Sequence, residues 1–395
     1  MKSPNSLLVK KTLSVLCLLS LLPFLTVMPT ALSAEQAVAS LAGGFSVETK
    51  DRIDHVFAKM KPDEPGCFVA VVKNGEIVYG KSFGVSNLET KDPFSENSVF
   101  ELASCSKQFT AVAILILAEQ GKLSIDDDAR KYLPELPVTN PPIKIRNLLA
   151  MSSGFTDYEN LLTESELGSF TPGDLMAWTI KQKIKFPAGA KYDYNNGNYV
   201  FLAMIVERVS KMPFKEFLAK NIFQPAGMEQ TFLMDGPNMD IPNRVGGYKK
   251  VNGKWKPSRL DTRIYGDGQV MTTAKDLAKW DKALNDGILL KNETLQQAYV
   301  NQKLNNGSDS DYGFGLRMSA KIPGVVQHSG GWNGTSTYIT RYLGRGSVQV
   351  LSNEEGLDAK KLGDEVGRIV FSDSGNTKDR GALKDVVRWV GIILF

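Results

Sequence analysis

The 395-residue chain has only two histidines, His55 and His328, and three cysteines, Cys17, Cys67 and Cys105. That scarcity excludes several chemistries. A histidine-rich metal centre cannot be assembled from two histidines, and neither an H-E-x-x-H helix nor a Cys/His zinc cluster is present. The one G-x-S-x-G match, Gly80 to Gly84, is not followed by a helical pattern and so is not the strand-to-helix elbow that an α/β-hydrolase needs, and an S-D-N triplet is absent. Repeats and low-complexity runs are absent. Charge is nearly balanced, with 47 Lys+Arg against 43 Asp+Glu and a formal net charge of +4. Lys2, Lys10 and Lys11 lie in the first 34 residues, which hold no acid, so the remainder is close to neutral and offers no basic stripe for nucleic acid. The balance of 42% hydrophobic and 23% charged residues suits a soluble globular protein of one large or two ordinary domains.

The opening segment reads as a targeting signal. Lysines precede an apolar run, Leu13 to Val27, interrupted by Pro23 and followed by small residues at Ala31, Ser33 and Ala34. This pattern predicts a secretory signal peptide over residues 1–34, cleaved near Ser33 or Ala34, and a secreted or periplasmic mature protein. The run is shorter than the roughly 20 residues of a membrane span, against an uncleaved anchor. Bulky Leu16 before Cys17 argues against a lipid anchor. In an oxidising compartment Cys67 and Cys105 could pair; two buried thiols is the better-supported reading, because both sit beside apolar residues.

Ile53, Val56, Phe57 and Met60 share one helical face, predicting a helix over 50–61 with His55 off the apolar stripe. Two apolar runs, 67–72 and 76–79, flank Lys73-Asn74-Gly75 and predict a hairpin. The stretch 104–120 leaves almost no polar face, so it reads as a buried helix ended at Gly121. Short helical patterns and Pro/Gly loops fill 122–264. Strands are expected at 335–342 and 347–351, and a closing helix from about 358 to 371. The fold class is therefore α/β (α+β): an antiparallel sheet flanked by helices, with an inserted, mostly helical subdomain at about 122–264. The tail, 372–395, ends in apolar residues too few to span a membrane.

Three short motifs carry the chemistry. Ser104-Cys-Ser-Lys107 is the only S-x-x-K in the chain and opens its most apolar helix. Ser and Lys at i and i+3 share a face, the helix start favours developing negative charge on the hydroxyl, and a desolvated lysine is driven toward its neutral, proton-accepting form. Serine needs such a partner to act as a nucleophile. The plainer alternative is a capping serine and a solvated lysine. Tyr-x-Asn occurs three times, at Tyr158-x-Asn160, Tyr194-x-Asn196 and Tyr299-x-Asn301. Tyr194 is preferred because it sits in a polar turn entering an apolar helix, where it could relay a proton to a leaving group; Tyr158 is the runner-up. The third motif is His328-Ser-Gly330-Gly331, leading into the strand 335–342, whose glycines would let a substrate approach and leave an N–H free for an oxyanion.

Ser104-x-x-Lys107, Tyr194-x-Asn196 and His328-x-Gly330, in this order, resemble the beta-lactamase-related, penicillin-recognising serine hydrolases on their class C side. Those include class C beta-lactamases, DD-peptidases, D-aminopeptidases and lactamase-like esterases. Pro65-Gly-Cys67, Ser106 to Ala111, Gly121 to Asp126, Ile145 to Gly154 and Thr272 to Trp280 are similar to the family as well. The resemblance covers residues 45–371 and implies a catalytic cleft between a sheet domain and a helical one. It implies Ser104 as the acylated nucleophile, Lys107 as partner base and Tyr194 as second acid/base. Asn196 would contact substrate and lysine, His328 and Gly330 would lie on the cleft-edge strand, and the N–H groups of Ser104 and Gly331 would form the oxyanion hole. No metal or organic cofactor is implied.

One departure bears on the substrate. The third motif of the beta-lactamases usually begins with lysine, which holds a substrate carboxylate. His328, with a reference pKa of about 6.5, would be mostly neutral above pH 7. That weakens the case for an efficient beta-lactamase and leaves D-amino-acid peptides and neutral esters or amides, including cell-wall peptide. By the same logic, lysine at 328 would favour carboxylate-bearing substrates. The rival from another class is a non-catalytic cell-wall sensor or binding module that keeps the fold.

Overall fold

The computed structural model describes residues 44–372 other than Asn238. The expected signal peptide, 1–34, and all but the first residue of the expected tail, 372–395, lie outside the described residues. The hairpin forms as β1 (Cys67–Lys73) and β2 (Glu76–Phe83). Asn74 and Gly75 take φ of 52° and 81°, the left-handed pair that an Asn-Gly turn supplies at low cost. The remaining strands are β3 (Phe100–Glu101), β4 (Phe232–Leu233), β5 (Tyr248–Val251), β6 (Lys254–Pro257), β7 (Val270–Thr272), β8 (Arg317–Met318), β9 (Val325–Trp332), β10 (Thr335–Tyr342) and β11 (Gly346–Ser352). A six-stranded sheet runs β2-β1-β11-β10-β9-β8, antiparallel throughout. A three-stranded sheet, β3-β7-β4, and the β5–β6 hairpin complete the β structure of the described residues.

Strand alternation divides the core. Cys67, Val69 and Val71 of β1 join Tyr338, Val348 and Val350 on one face. There they pack against α1 (Val47–Val56), Phe57 and a later helix. Phe68 and Ala70 point the other way, into a larger core with Ile339, Leu351 and α2 (Lys107–Glu119). Packed on α2 is α3 (Asn196–Ser210), whose start is capped by Asn195 and whose end is marked by Lys211 at φ 60°. Downstream lie α4 (Ala274–Asn285), capped by Thr273, and α5 (Ala359–Gly367), capped by Asp358, which covers the first face of the sheet. Residues 122–264 hold short helices around α3, together with β4 and the β5–β6 hairpin.

Three sequence expectations shift. The first helix starts at Val47 and ends at Val56, not 50–61, because Ser46 accepts from Thr49 N and sets the start. His55 is exposed, as its off-stripe position implied. The buried helix begins at Lys107, after a 3-10 turn at Ala103–Ser106 that carries Ser104. His328 to Gly331 do not lead into a strand but form part of one, β9, paired with β10 through Ile339↔His328 and Thr337↔Gly330. Cys67 and Cys105 are both free and buried. Burial pushes the Cys105 thiol up to about 12, and it donates to the His328 carbonyl at 3.2 Å.

Candidate active site

The turn bearing Ser104 is fastened from two sides. Leu102 N donates to Val270 O at 3.0 Å, and Val270 N donates back to the Ser106 hydroxyl at 3.1 Å, tying the turn to β7. Thr337 Oγ1 donates to Leu102 O at 2.8 Å, tying it to β10. Ala103, just before the nucleophile, is held at φ 47°, a conformation costing a non-glycine residue about 1 kcal/mol. Gly330 explains how β9 comes so close. A Cβ there would lie 2.2 Å from Leu102 O and 2.5 Å from Thr337 Oγ1, whereas one on Gly331 would meet nothing within 4 Å. Gly330 is thus required for packing against the nucleophile turn, and the exposed Gly331 is the glycine open to a ligand.

Lys107 is fully buried, 0% exposed. Its Nζ donates to Ser104 Oγ at 2.9 Å, Asn196 Oδ1 at 2.8 Å and Asp267 O at 2.8 Å, which uses all three N–H bonds of an ammonium. Burial pulls its pKa down, but Tyr194, Asp267 and Glu159 outweigh that and leave it above the ordinary lysine value. This corrects the sequence expectation that desolvation would favour the neutral amine: the acids around Lys107 are contributed by distant segments. The Tyr194 ring lies 5.2 Å from Lys107 Nζ and 5.9 Å from the Arg317 guanidinium.

His328 is 3% exposed. Its Nδ1 faces Ser329 O at 2.6 Å and its Nε2 faces the Tyr312 hydroxyl at 2.9 Å. A carbonyl can only accept, so Nδ1 carries the proton and Nε2 accepts from Tyr312. Burial first, then Lys107, depresses the His328 pKa to about 3. It is therefore neutral well below pH 7, rather than titrating near its reference value. Tyr312 stands edge-on to Tyr194, ring centroids 6.2 Å apart. Arg317 covers the rings of Tyr192 and Tyr312 at 5.4 and 5.5 Å and donates to Tyr192 Oη at 2.5 Å. β8 pairs only with Val326 and Gln327, so the His328–Trp332 half of β9 is open toward the cleft.

On the other side of Ser104 is a small recess lined by Glu101, Tyr158, Glu159, Asn196, Asp267, Gln269, Gly331 and Trp332, with an inner cavity of about 30 Å³. Asn196 Nδ2 donates to Asp157 Oδ2 at 3.2 Å and also to Glu159. Tyr158, the runner-up tyrosine, donates from its hydroxyl to Asp267 Oδ2 at 2.8 Å and is buried. Burial raises Asp157 and Asp267, lifts Glu159 to about 7 and lifts Glu101 to about 8. Sequence reasoning missed Glu101, Glu159, Asp267, Gln269, Tyr312 and Arg317. Only Glu159 had a local signal, its place inside the runner-up match, Tyr158-x-Asn160. Among the described residues no group of His, Cys, Asp and Glu could hold a metal ion, and no helix is long and apolar enough to cross a membrane.

The geometry agrees with similarities across most of the chain. Residues 53–370 match the family model described as Beta-lactamase. Penicillin-binding protein 4* of Bacillus subtilis (strain 168) is 33% identical over 316 residues, 73% of this chain and 68% of that protein. A D-aminopeptidase of Gluconobacter oxydans (strain 621H) is 28% identical, over 73% of this chain and 56% of its own length. Among solved structures, the octameric penicillin-binding protein homologue from Pyrococcus abyssi superposes with a TM-score of 0.71 at 25% identity, covering 82% of this chain and 77% of that one. The chain belongs to the Beta-lactamase family of serine hydrolases.

Proposed function

We propose that the protein is an exported serine hydrolase that transfers the acyl group of an amide or ester to Ser104 and then to water, with D-amino-acid peptides or amides as the favoured class. The observation that carries this reading is the fully buried Lys107, bonded at once to Ser104 Oγ and Asn196 Oδ1 and facing Tyr194. Ser104 Oγ attacks the scissile carbonyl, and its proton passes to the Tyr194 oxygen as the Tyr194 hydroxyl proton moves on toward the leaving group. The N–H groups of Ser104 and Gly331 receive the oxyanion. Through this relay the departing amine or alkoxide leaves protonated, Tyr194 ends with one proton as it began, and the acyl ester stays on Ser104. Water then attacks that ester, its proton passing to the Tyr194 oxygen as the Tyr194 hydroxyl proton moves to the departing Ser104 Oγ. Lys107 stays protonated throughout and stabilises the charge developing on Ser104 and Tyr194. His328 acts by holding Tyr312 against Tyr194, and does not need to touch the substrate.

The D-aminopeptidase and penicillin-binding similarities favour a D-amino-acid acyl donor over a plain carboxylester. Export rests on the lysine-flanked apolar segment at residues 2–34. A fluorophosphonate and a labelled penicillin, followed by intact mass, test the nucleophile. Wild type should gain one adduct and Ser104→Ala none; an adduct on the variant removes Ser104 from the role. A folded wild type that neither probe labels and that hydrolyses no D-alanyl amide, p-nitrophenyl ester or cephalosporin would instead support a binding module.

A further inference from the structure

We propose that the acid-lined recess beside Ser104 is a subsite for a protonated primary amine carried by the acyl half of the substrate, so that preferred acyl donors bear a free amine near the scissile carbonyl. This deepens, and rests on, the Ser104 acyl-enzyme reading.

Acceptors outnumber donors in the recess. Glu101, Glu159 and Asp267 line it, and Asp157 stands behind Asn196. The one cation among them is Lys107, whose three N–H bonds go to Ser104, Asn196 and a main-chain carbonyl, not to any carboxylate. Arg244 and Arg259 act on Glu101 from farther off, and both are bonded to Asp261. Gln269 supplies an independent sign of a missing ligand. It is 4% exposed, its Nε2 donates to Glu101 Oε1 at 3.1 Å, and its Oε1 has no hydrogen-bond partner. Its backbone is held at φ 70°, an uncommon conformation for a residue with a side chain. A buried acceptor without a donor is costly and is rarely kept without a function.

Size and position narrow the occupant. The inner cavity of about 30 Å³ has room for roughly one water-sized group. An ammonium fits that space and brings three donors. Tyr194, Tyr312 and Arg317 do not line the recess. The leaving group must pass Tyr194 to be reprotonated, so the recess faces the acyl half. The upward displacement of Glu159 and Glu101 fits a site that lacks its cation while empty.

Three measurements test this on the purified protein. Calorimetric titration of wild type with 2-phenylethylamine and with its alcohol isostere, 2-phenylethanol, reads the subsite without turnover; the amine should bind roughly tenfold or more tighter. kcat/KM for alanyl p-nitroanilides should be about tenfold to hundredfold higher with the amine free than N-acetylated, in at least one enantiomer. That ratio should fall toward one in Glu159→Gln and in Gln269→Leu, each checked for folding by its thermal transition. Equal binding of amine and alcohol overturns the subsite, as does a ratio near one in wild type or one unchanged in both variants. Fluorophosphonate labelling of wild type separates the two ideas: labelling without amine preference defeats only the subsite, and amine preference without labelling defeats only the Ser104 nucleophile.

Discussion

The two walls beside Ser104 are built from opposite chemistry. One, on β8, the loop before it and β9 with the turn before α3, stacks Tyr192, Tyr194, Tyr312 and His328 under Arg317. The other, from β3, the 157–159 segment and the loop before β7, presents Glu101, Glu159 and Asp267. Burial acts on both, and in both it opposes charge: His328 is driven down to about 3, Glu159 up to about 7 and Glu101 up to about 8. Lys107 is just as buried, yet its pKa moves up, because acids and a tyrosine face it. Burial alone therefore does not set a catalytic charge; the sign of the neighbours does. By contrast, a much larger groove of about 1590 Å³ between α1 and α5 holds none of the motif residues.

Charging the tyrosine wall should disturb this contrast most. The family pattern suggests that lysine at 328 would favour carboxylate-bearing substrates, but the site is closed, and Lys107 and Arg317 already disfavour positive charge there. His328→Lys should therefore destabilise the fold by about 3 kcal/mol or more, read from urea unfolding, without a gain on such substrates. An unchanged midpoint with improved carboxylate turnover would show instead that residue 328 reaches the substrate. The wild-type histidine has its own signature. Its folded pKa lies below the unfolded value, so from pH 6.5 down toward 3 the unfolded chain binds a proton that the folded chain does not, and stability falls with pH. The advantage of wild type over His328→Gln should shrink by roughly 3 kcal/mol between pH 7 and pH 4. A constant difference across that range would show that His328 is not held neutral.

A smaller effect separates the two glycines on the same wall. Gly330→Ala should cost about 1–3 kcal/mol and slow acylation, because its Cβ must displace the main chain at Leu102. Gly331→Ala should stay within about 0.5 kcal/mol in thermal unfolding. Equal losses would place the close approach elsewhere. The smallest change is expected at Arg317, which is half-buried and already bonded to Tyr192. Arg317→Gln should lower kcat on a neutral ester by up to about tenfold, the scale of a cation–aromatic contact. No change would mean that Lys107 alone supplies the positive field at Tyr194.

Local features are legible in the chain itself. The Asn74-Gly75 hairpin, the apolar stretch of α2 and the Ser104/Lys107 spacing follow from neighbours within one or two turns of chain, and they form with boundary shifts of a few residues. Placing Tyr194-x-Asn196 before an apolar helix also succeeds, since Asn196 opens α3 and reaches Lys107. The acid wall cannot be read this way. Glu101 and Gln269 touch across 168 residues of sequence, and Tyr158 and Asp267 across 109.

The order of the motifs, the serine and lysine one turn apart, and the hairpin and buried helix are set by sequence, because side-chain period and turn chemistry act over a few residues. The protonation of Lys107, the neutrality of His328, the separate duties of Gly330 and Gly331, and the acid recess come only with the tertiary structure. Desolvation and charge–charge interaction depend on distance in space, and only folding brings those residues together.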